Sequence, residues 1–300
     1  MTPATTSALA KAAAARKQGA PAKGRPTFAA RFARTPLAVA GAVMVAAYLV
    51  TAVAAPLFTP DDPLTMHPQA LLAPPGDGHP FGTDQFGRDL LARLLFGARS
   101  SLAVAFGSVA LALAAGGSVG VLAGYHGGLL DNVLMRAMDV IFAFPAVLLA
   151  IAIMAIAGTA VGNVIVAIGI VYTPQFARVL RASTLETRGL EYVDAANALG
   201  AGTLRILRSH ILPNISAPLI VQTSLSLSFA ILTESALSFL GLGTQPPTPS
   251  WGNMLAEARR FMVIAPWTAI TPGAAIAAIV LGFNLLGDGL RDLLDPRLRL

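Results

Sequence analysis

The chain has 300 residues, 55% of them hydrophobic and only 12% charged, with a mean hydropathy of +0.68. Soluble domains carry about a quarter charged residues, so this composition excludes an ordinary soluble domain and points to a chain that crosses a membrane several times. The absence of cysteine excludes disulfides, thiolate nucleophiles and cysteine-ligated metals.

A pI of 10.3 would fit a nucleic-acid binder, but the distribution of charge argues otherwise. Lys11, Arg16, Lys17, Lys23, Arg25, Arg31 and Arg34 all precede Pro36 with no acid among them; taking those seven from the net +6 leaves −1 for the rest. A basic tail beside an apolar run is a topology signal, not a nucleic-acid surface. Residues 1–36, rich in Ala, Thr, Pro and Lys, are expected to form a disordered basic cytoplasmic tail, followed by a transmembrane domain over 37–300. Ala52-Val53-Ala54 resembles the cleavage site of a signal peptide, yet the run from Leu37 to Phe58 has the length of a span, so a retained first helix is expected.

Six apolar runs follow one another, at about 37–58, 101–124, 138–157, 161–181, 214–240 and 268–287. Each is near the ~20 residues that cross a bilayer core, and without an alternating barrel pattern helices are the form that satisfies the backbone in lipid. With the tail inside, six crossings put 125–137, 182–213 and the C-terminus on the cytoplasmic side. Sixteen of the 21 Lys and Arg then lie inside, against Arg88, Arg93, Arg99, Arg259 and Arg260 outside. The fold class expected is therefore an all-α integral membrane protein with six transmembrane helices, a long first outer loop, a multi-pass topology and both termini cytoplasmic.

The first outer loop, about 59–100, is proline-rich in its first half. In its second half Leu90, Leu91, Leu94 and Leu95 alternate with Arg88, Asp89 and Arg93, predicting an amphipathic helix at the outer membrane surface, capped by Thr83 or Asp84. Gly116, Gly120 and Gly124 at four-residue spacing predict a helix-packing seam in the second span. Phe144-Pro145 predicts a kink early in the third. Glu234, set among Ser235 and Ser238 late in the fifth run, fits two roles equally: lining a translocation path, or a satisfied hydrogen bond between helices. The next loop, 241–267, carries a proline cluster, Trp251 at interface depth and a short amphipathic piece from Asn253 to Phe261.

No catalytic constellation is present. The four histidines are scattered over both sides of the membrane, none at i, i+4 spacing with another, so no metal site is expected. The phosphate-binding G-x-x-x-x-G-K-[ST] pattern is absent, and all three lysines lie in the tail. The chain is expected to bind no cofactor and hydrolyse no ATP; energy for uphill movement must enter through a partner or an ion.

The segment Glu191 to Pro213, EYVDAANALGAGTLRILRSHILP, is the largest polar insert between spans on the cytoplasmic side. Glu191 and Asp194 favour a helix N-terminus. Gly200 and Gly202 supply a left-handed turn, and Thr203 caps a second helix with Leu204, Leu207 and Ile211 on its apolar stripe and Arg205 and Arg208 elsewhere. Pro213 then opens the next span. Helix, glycine turn, helix is a compact shape that fits a cleft in a partner.

This segment resembles the EAA loop of bacterial ABC-importer permeases. Asp194, Ala195 and Ala196 stand at the first three motif positions, Gly200 at the glycine and Leu212-Pro213 at the end; Asp194 replaces Glu and His210 replaces an apolar residue. Residues 79–102, 124–151, 234–255 and 284–299 resemble the dipeptide/oligopeptide/nickel permeases, in particular their C-type subunit, and the resemblance runs from about Pro36 to the end. It implies a type I ABC importer transmembrane domain working with a homologous second permease, two ATP-binding subunits and an extracytoplasmic solute-binding protein in a bacterial inner membrane. ATP and Mg²⁺ would act on the ATP-binding subunits, the 191–213 segment would dock in one of them, and the cargo would be dipeptides, oligopeptides or a nickel complex. An ion-coupled secondary transporter, or a membrane scaffold that transports nothing, are the alternatives; Glu234 is the one acid placed for ion coupling, and no internal repeat accompanies it.

Overall fold

A computed structural model describes residues 28–59, 61–76 and 78–294. Among these the secondary structure is helical, with two isolated bridges, Gly76 to His79 and Thr83 to Asp89, in the first long loop. In chain order the helices are α1 (Phe28–Phe32), α2 (Pro36–Val53), α3 (Ala55–Phe58), α4 (Leu90–His126), α5 (Gly128–Phe142), α6 (Ala146–Ala157), α7 (Val161–Arg188), α8 (Glu191–Ala198), α9 (Thr203–Ile206), α10 (Leu212–Phe239), α11 (Trp251–Ala258) and α12 (Trp267–Leu294). A π-helical turn, Leu207–Ile211, joins α9 to α10 without a break.

Five helical stretches among the described residues are long and apolar enough to cross a membrane: α2, α4, α7, α9 through α10, and α12. The sixth expected span is broken. α5 and α6 meet at 88°, so Phe144-Pro145 does more than kink the helix. Pro145 has no N–H to continue the ladder of α5 and instead becomes the N-cap of α6. The stretch 125–137, expected as a loop, belongs largely to α5; two glycines at positive φ, Gly127 and Gly128, make the corner from α4.

The tail expectation also changes. Residues 28–32 are helical, and the Arg31 guanidinium donates to the Leu293 carbonyl at 2.7 Å, tying the start of the chain to the end of α12. The remainder of the tail, residues 1–27, lies outside the described residues, as do 295–300.

The second span and the outer amphipathic helix are one element. α4 has 37 residues; at 1.5 Å per residue it is about 55 Å long, well beyond a ~30 Å hydrocarbon core. Its N-cap is Asp89, whose carboxylate accepts from the Ala92 N–H at 2.7 Å. Thr83 and Asp84, the expected caps, turn the preceding loop instead: Asp84 accepts from the N–H groups of Phe86 and Arg88, and Thr83 from that of Ala73.

α4 and α7 are the central pair and run parallel, with Gly107 beside Ile165 toward one end and Gly124 beside Arg181 and Thr184 near the other. The expected glycine seam lies between them. A Cβ on Gly116 would strike the Thr173 carbonyl, one on Gly120 the Ala177 carbonyl, and one on Gly124 would come within 2.8 Å of Arg181 and Thr184. Hydrophobicity does not drive helices together in lipid, and close backbone approach of this kind supplies the dispersion that does. α2 meets α12 in the same way at Gly41 and Gly289. The main core gathers Val45, Leu102, Val109, Ile168, Phe176, Ile231, Ile279 and Phe283 from these helices, with α11 contributing Trp251. Trp251 is fully buried within the protein, its indole N–H donating to the Leu94 carbonyl at 3.0 Å.

One end of the bundle therefore holds α1, the α4–α5 corner, residues 188–213 and the end of α12. The other holds residues 54–99 and 240–267, where Arg99 donates to the carbonyls of Ala52 and Val53 at the end of α2.

Candidate functional site

At the first of these ends the segment 189–213 forms a ledge. α8 starts with Glu191 and Asp194 in its first turn, both exposed, and finishes in a Schellman turn. The Ala201 N–H reaches the Ala196 carbonyl at 3.0 Å and the Gly200 N–H the Asn197 carbonyl at 2.9 Å, which requires the residue between to be left-handed. Gly200 has φ +79°, while Gly202 has φ −67° and is simply the N-cap of α9. Thr203 makes no cap bond; it is the first residue of α9.

The ledge has two faces. Its back is apolar and buried: Val193, Ile206 and Ile211 pack with Leu180 of α7 and Ile215 of α10 into a small core of their own. Its front is exposed, and carries Glu191, Asp194, Ala195, Arg205, Arg208, Leu212 and Pro213. At the tip, on either side of the glycine turn, stand Leu199 and Leu204, 89% and 70% exposed. Leu204 thus leaves the stripe expected for it, and Ile206 takes its buried place. Two exposed leucines at the turn form an apolar knob flanked by both signs of charge.

Behind the ledge α5 is strapped to α7 by two ion pairs. Arg181 grips Asp131 with two nitrogens at 2.5 and 2.6 Å, and Arg178 holds Asp139 at 2.6 Å while lying over the Phe142 ring. The bidentate geometry fixes orientation as well as distance. The ledge thus stands on a braced frame.

At the opposite end a cluster of charged residues is buried. Asp84 accepts from Arg88 at 2.6 Å and Arg93 at 2.9 Å, and Glu257 of α11 accepts from the same two guanidiniums at 2.8 and 3.0 Å. Arg88, Asp89 and Arg93 therefore face inward, where the amphipathic reading had them face water. Burial pushes the Glu257 carboxyl above the usual carboxylate range, against the pull of Arg88. Asp84, Arg88 and Arg93, close in sequence, with the distant Glu257 lock the first long loop to the 241–267 loop.

Glu234 is fully buried beside this lock. Its carboxylate accepts from the Ser238 hydroxyl at 2.8 Å, and the hydroxyls of Ser101, Ser235 and Ser250 also turn toward it. Ser238 in turn accepts from the Thr244 N–H at 3.2 Å, and α11 approaches so closely at Gly252 that any side chain there would meet Ser235 and Ser238. In this conformation the three candidate path residues bind the end of α10 to the following loop and α11.

Sequence reasoning missed Leu199, readable only as a generic apolar position, and placed Leu204 on the buried stripe. Tyr192 and Asn214 carry no motif, yet Asn214 Nδ2 donates to the Tyr192 hydroxyl at 3.0 Å and to the His210 carbonyl at 2.5 Å.

A bundle of membrane-length helices, bearing at one end a helix–turn–helix ledge with an exposed apolar tip, defines a polytopic membrane protein. The family model of binding-protein-dependent transport system inner membrane components matches residues 116–300, and that of the N-terminal TM domain of oligopeptide transport permease C matches residues 27–75. The chain belongs to the binding-protein-dependent transport system inner membrane component family. Among its relatives, the dipeptide transport system permease protein DppC of Alkalihalophilus pseudofirmus is 46% identical over 263 residues, covering 88% of this chain and 86% of the relative. The glutathione transport system permease protein GsiD of Pectobacterium atrosepticum is 46% identical over 270 residues, 90% of each chain. The di/tripeptide transport system permease protein DppC of Pseudomonas aeruginosa is 45% identical over 274 residues, 89% of this chain and 90% of the relative. Among solved structures, a chain of the inward-facing MetNI methionine ABC transporter superposes with a TM-score of 0.57 at 19% identity, covering 68% of this chain and 97% of that one. That likeness shows a shared fold.

Proposed function

We propose that this chain is the membrane-spanning permease subunit of an ATP-driven importer that moves short peptides across a bacterial cytoplasmic membrane. The observation that carries the reading is the ledge: an apolar tip, Leu199 and Leu204, held out by a turn whose geometry only Gly200 supplies without strain. A chain that carries no phosphate-binding G-x-x-x-x-G-K-[ST] motif would receive work through such a surface from a subunit that binds ATP.

In this reading the ledge lies in the cytoplasm together with both termini. It docks into one of two ATP-binding subunits, in which ATP and Mg²⁺ act. Glu191 and Asp194 favour the start of α8 through the helix dipole, Ala195 and Ala196 keep its front face low enough for close contact, and Arg205 and Arg208 meet acidic groups on the partner. Leu212 and Pro213 pass the motion to α10. Closure of the ATP-binding subunits would swing this chain against a homologous second permease, a rigid-body exchange between inward- and outward-open states. The locked loops at the other end would face an extracytoplasmic solute-binding protein. Glu234, Ser235 and Ser238 keep that platform attached to α10. The short-peptide assignment follows the relatives, named for dipeptides, di/tripeptides and glutathione.

The test is capture of the ATP-binding subunits by the affinity-tagged permease pair. Leu199→Glu with Leu204→Glu should abolish capture while the permease pair still assembles, because both substitutions sit on exposed positions. Full capture by the double variant would remove the ledge from the docking role.

A further inference from the structure

The joint between the ledge and α10 is irregular. Across Leu207–Ile211 the backbone is π-helical, the Leu212 N–H reaching back five residues to the Leu207 carbonyl. Pro213 explains this: it has no N–H to give, and its ring would press on the carbonyl four residues earlier unless that turn widens. Pro218 removes a second donor about one turn further along. Helices bend at such defects. A displacement of α8 passed along the backbone alone would be spent in bending this joint.

Besides the apolar packing of Val193 and Ile206 against Ile215, one side-chain hydrogen bond among the described residues crosses it. Tyr192 lies in the first turn of α8, and Asn214 is the first residue beyond Pro213. The Asn214 side-chain amide donates to the Tyr192 hydroxyl and, at the same time, to the His210 carbonyl inside the π turn. The Tyr192 ring lies 5.8 Å, centroid to centroid, from that of His210. Ledge, joint and span are thereby tied together at one amide.

We infer that Tyr192 and Asn214 form a strut that carries displacement of the ledge past the π joint directly to α10. They are positioning residues: they touch neither ATP nor solute. The inference rests on the reading of the ledge as the docking site for an ATP-binding subunit.

The test uses the whole importer in lipid, in a background that has no native cysteine to remove from this chain. Spin labels at Ala198→Cys and Leu232→Cys, on α8 and far along α10, report whether the two helices move as one body. With the strut intact the distance distribution should keep a single peak with and without ATP and vanadate. With Tyr192→Phe or Asn214→Ala a second peak, shifted by several ångströms, should appear with ATP. In the same complexes, ATP hydrolysed per molecule of radiolabelled alanyl-alanine taken up should rise at least fivefold, with the hydrolysis rate within twofold of the parent. The double variant should be no worse than either single variant. If the distances do not change in the variants, or if hydrolysis and uptake fall in parallel, the strut is overturned while the docking site stands. If the unsubstituted chain retains no ATP-binding subunit, the docking reading fails first and the strut with it.

Discussion

Gly200 is the position where the account is most exposed to a simple perturbation. Its φ of +79° places it in the left-handed region, and a Cβ built there meets nothing within 4 Å. Space is therefore not the issue, and any penalty for a side chain comes from backbone conformation alone. An L-residue in that region costs about 1–2 kcal/mol, equivalent to roughly a 5- to 30-fold loss in population of the correct turn. Valine should lie at or beyond the upper end, because its branched Cβ crowds the backbone further. Asparagine tolerates the left-handed region and should restore most of the loss. The assay is titration of the purified permease pair with its ATP-binding subunit, reading apparent affinity for Gly200→Ala, Gly200→Val and Gly200→Asn. The expected order is Gly, then Asn, then Ala, then Val, at unchanged thermal stability of the spans. If Asn binds as poorly as Val, or if all four bind alike, the Schellman turn does not set the docking shape.

Three further outcomes follow from the packing. Gly120→Ala should destabilise the bundle by about 1–3 kcal/mol, as overpacking does, because the added methyl would strike the Ala177 backbone carbonyl; Gly162→Ala, which meets nothing, is the matched control, and melting in detergent separates them. Arg93→Leu should cost about 3 kcal/mol, the lower end for breaking a buried ion pair, since Arg88 still reaches both Asp84 and Glu257; the same melting experiment reads it, and an unchanged transition would deny the lock. Glu234→Gln keeps both shape and an acceptor for Ser238, so dipeptide uptake should stay within twofold, whereas Glu234→Leu strands the facing hydroxyls and should lower assembly yield. A large loss of uptake in Glu234→Gln with normal assembly would return that carboxylate to the path.

The spans were legible because lipid demands long apolar helices; which side of the membrane each end faces rests on the bias of Lys and Arg alone. The glycine seam of α4 was legible for a similar reason: spacing of four places Gly116, Gly120 and Gly124 on one face whatever they meet. What local pattern could not reveal was pairing across the sequence. Arg88 and Arg93 read as the wet face of a surface helix, since nothing nearby shows that Asp84 and Glu257 will converge on them. The stretch 125–137 fell between two apolar runs, and nothing nearby shows that its Asp131 pairs with Arg181, 50 positions away, as a brace for α5. In the ledge the motif marked Gly200 correctly, yet the choice between two glycines for the left-handed turn was decided by hydrogen bonds to Ala196 and Asn197. Leu204 and Ile206 are chemically alike, and only the angle at which α9 leaves that turn determines which one is buried.

The central claim, that this chain imports short peptides on energy received through its ledge, is tested most directly by uptake in sealed proteoliposomes. The permease pair, its ATP-binding subunits and its binding protein would be reconstituted with a radiolabelled dipeptide outside and ATP and Mg²⁺ inside. The account predicts uptake against a gradient that stops when ATP, the binding protein or the ATP-binding subunits are left out, and that is indifferent to collapse of the proton and sodium gradients. Concentrative uptake by the permeases alone, driven by an ion gradient, would contradict it.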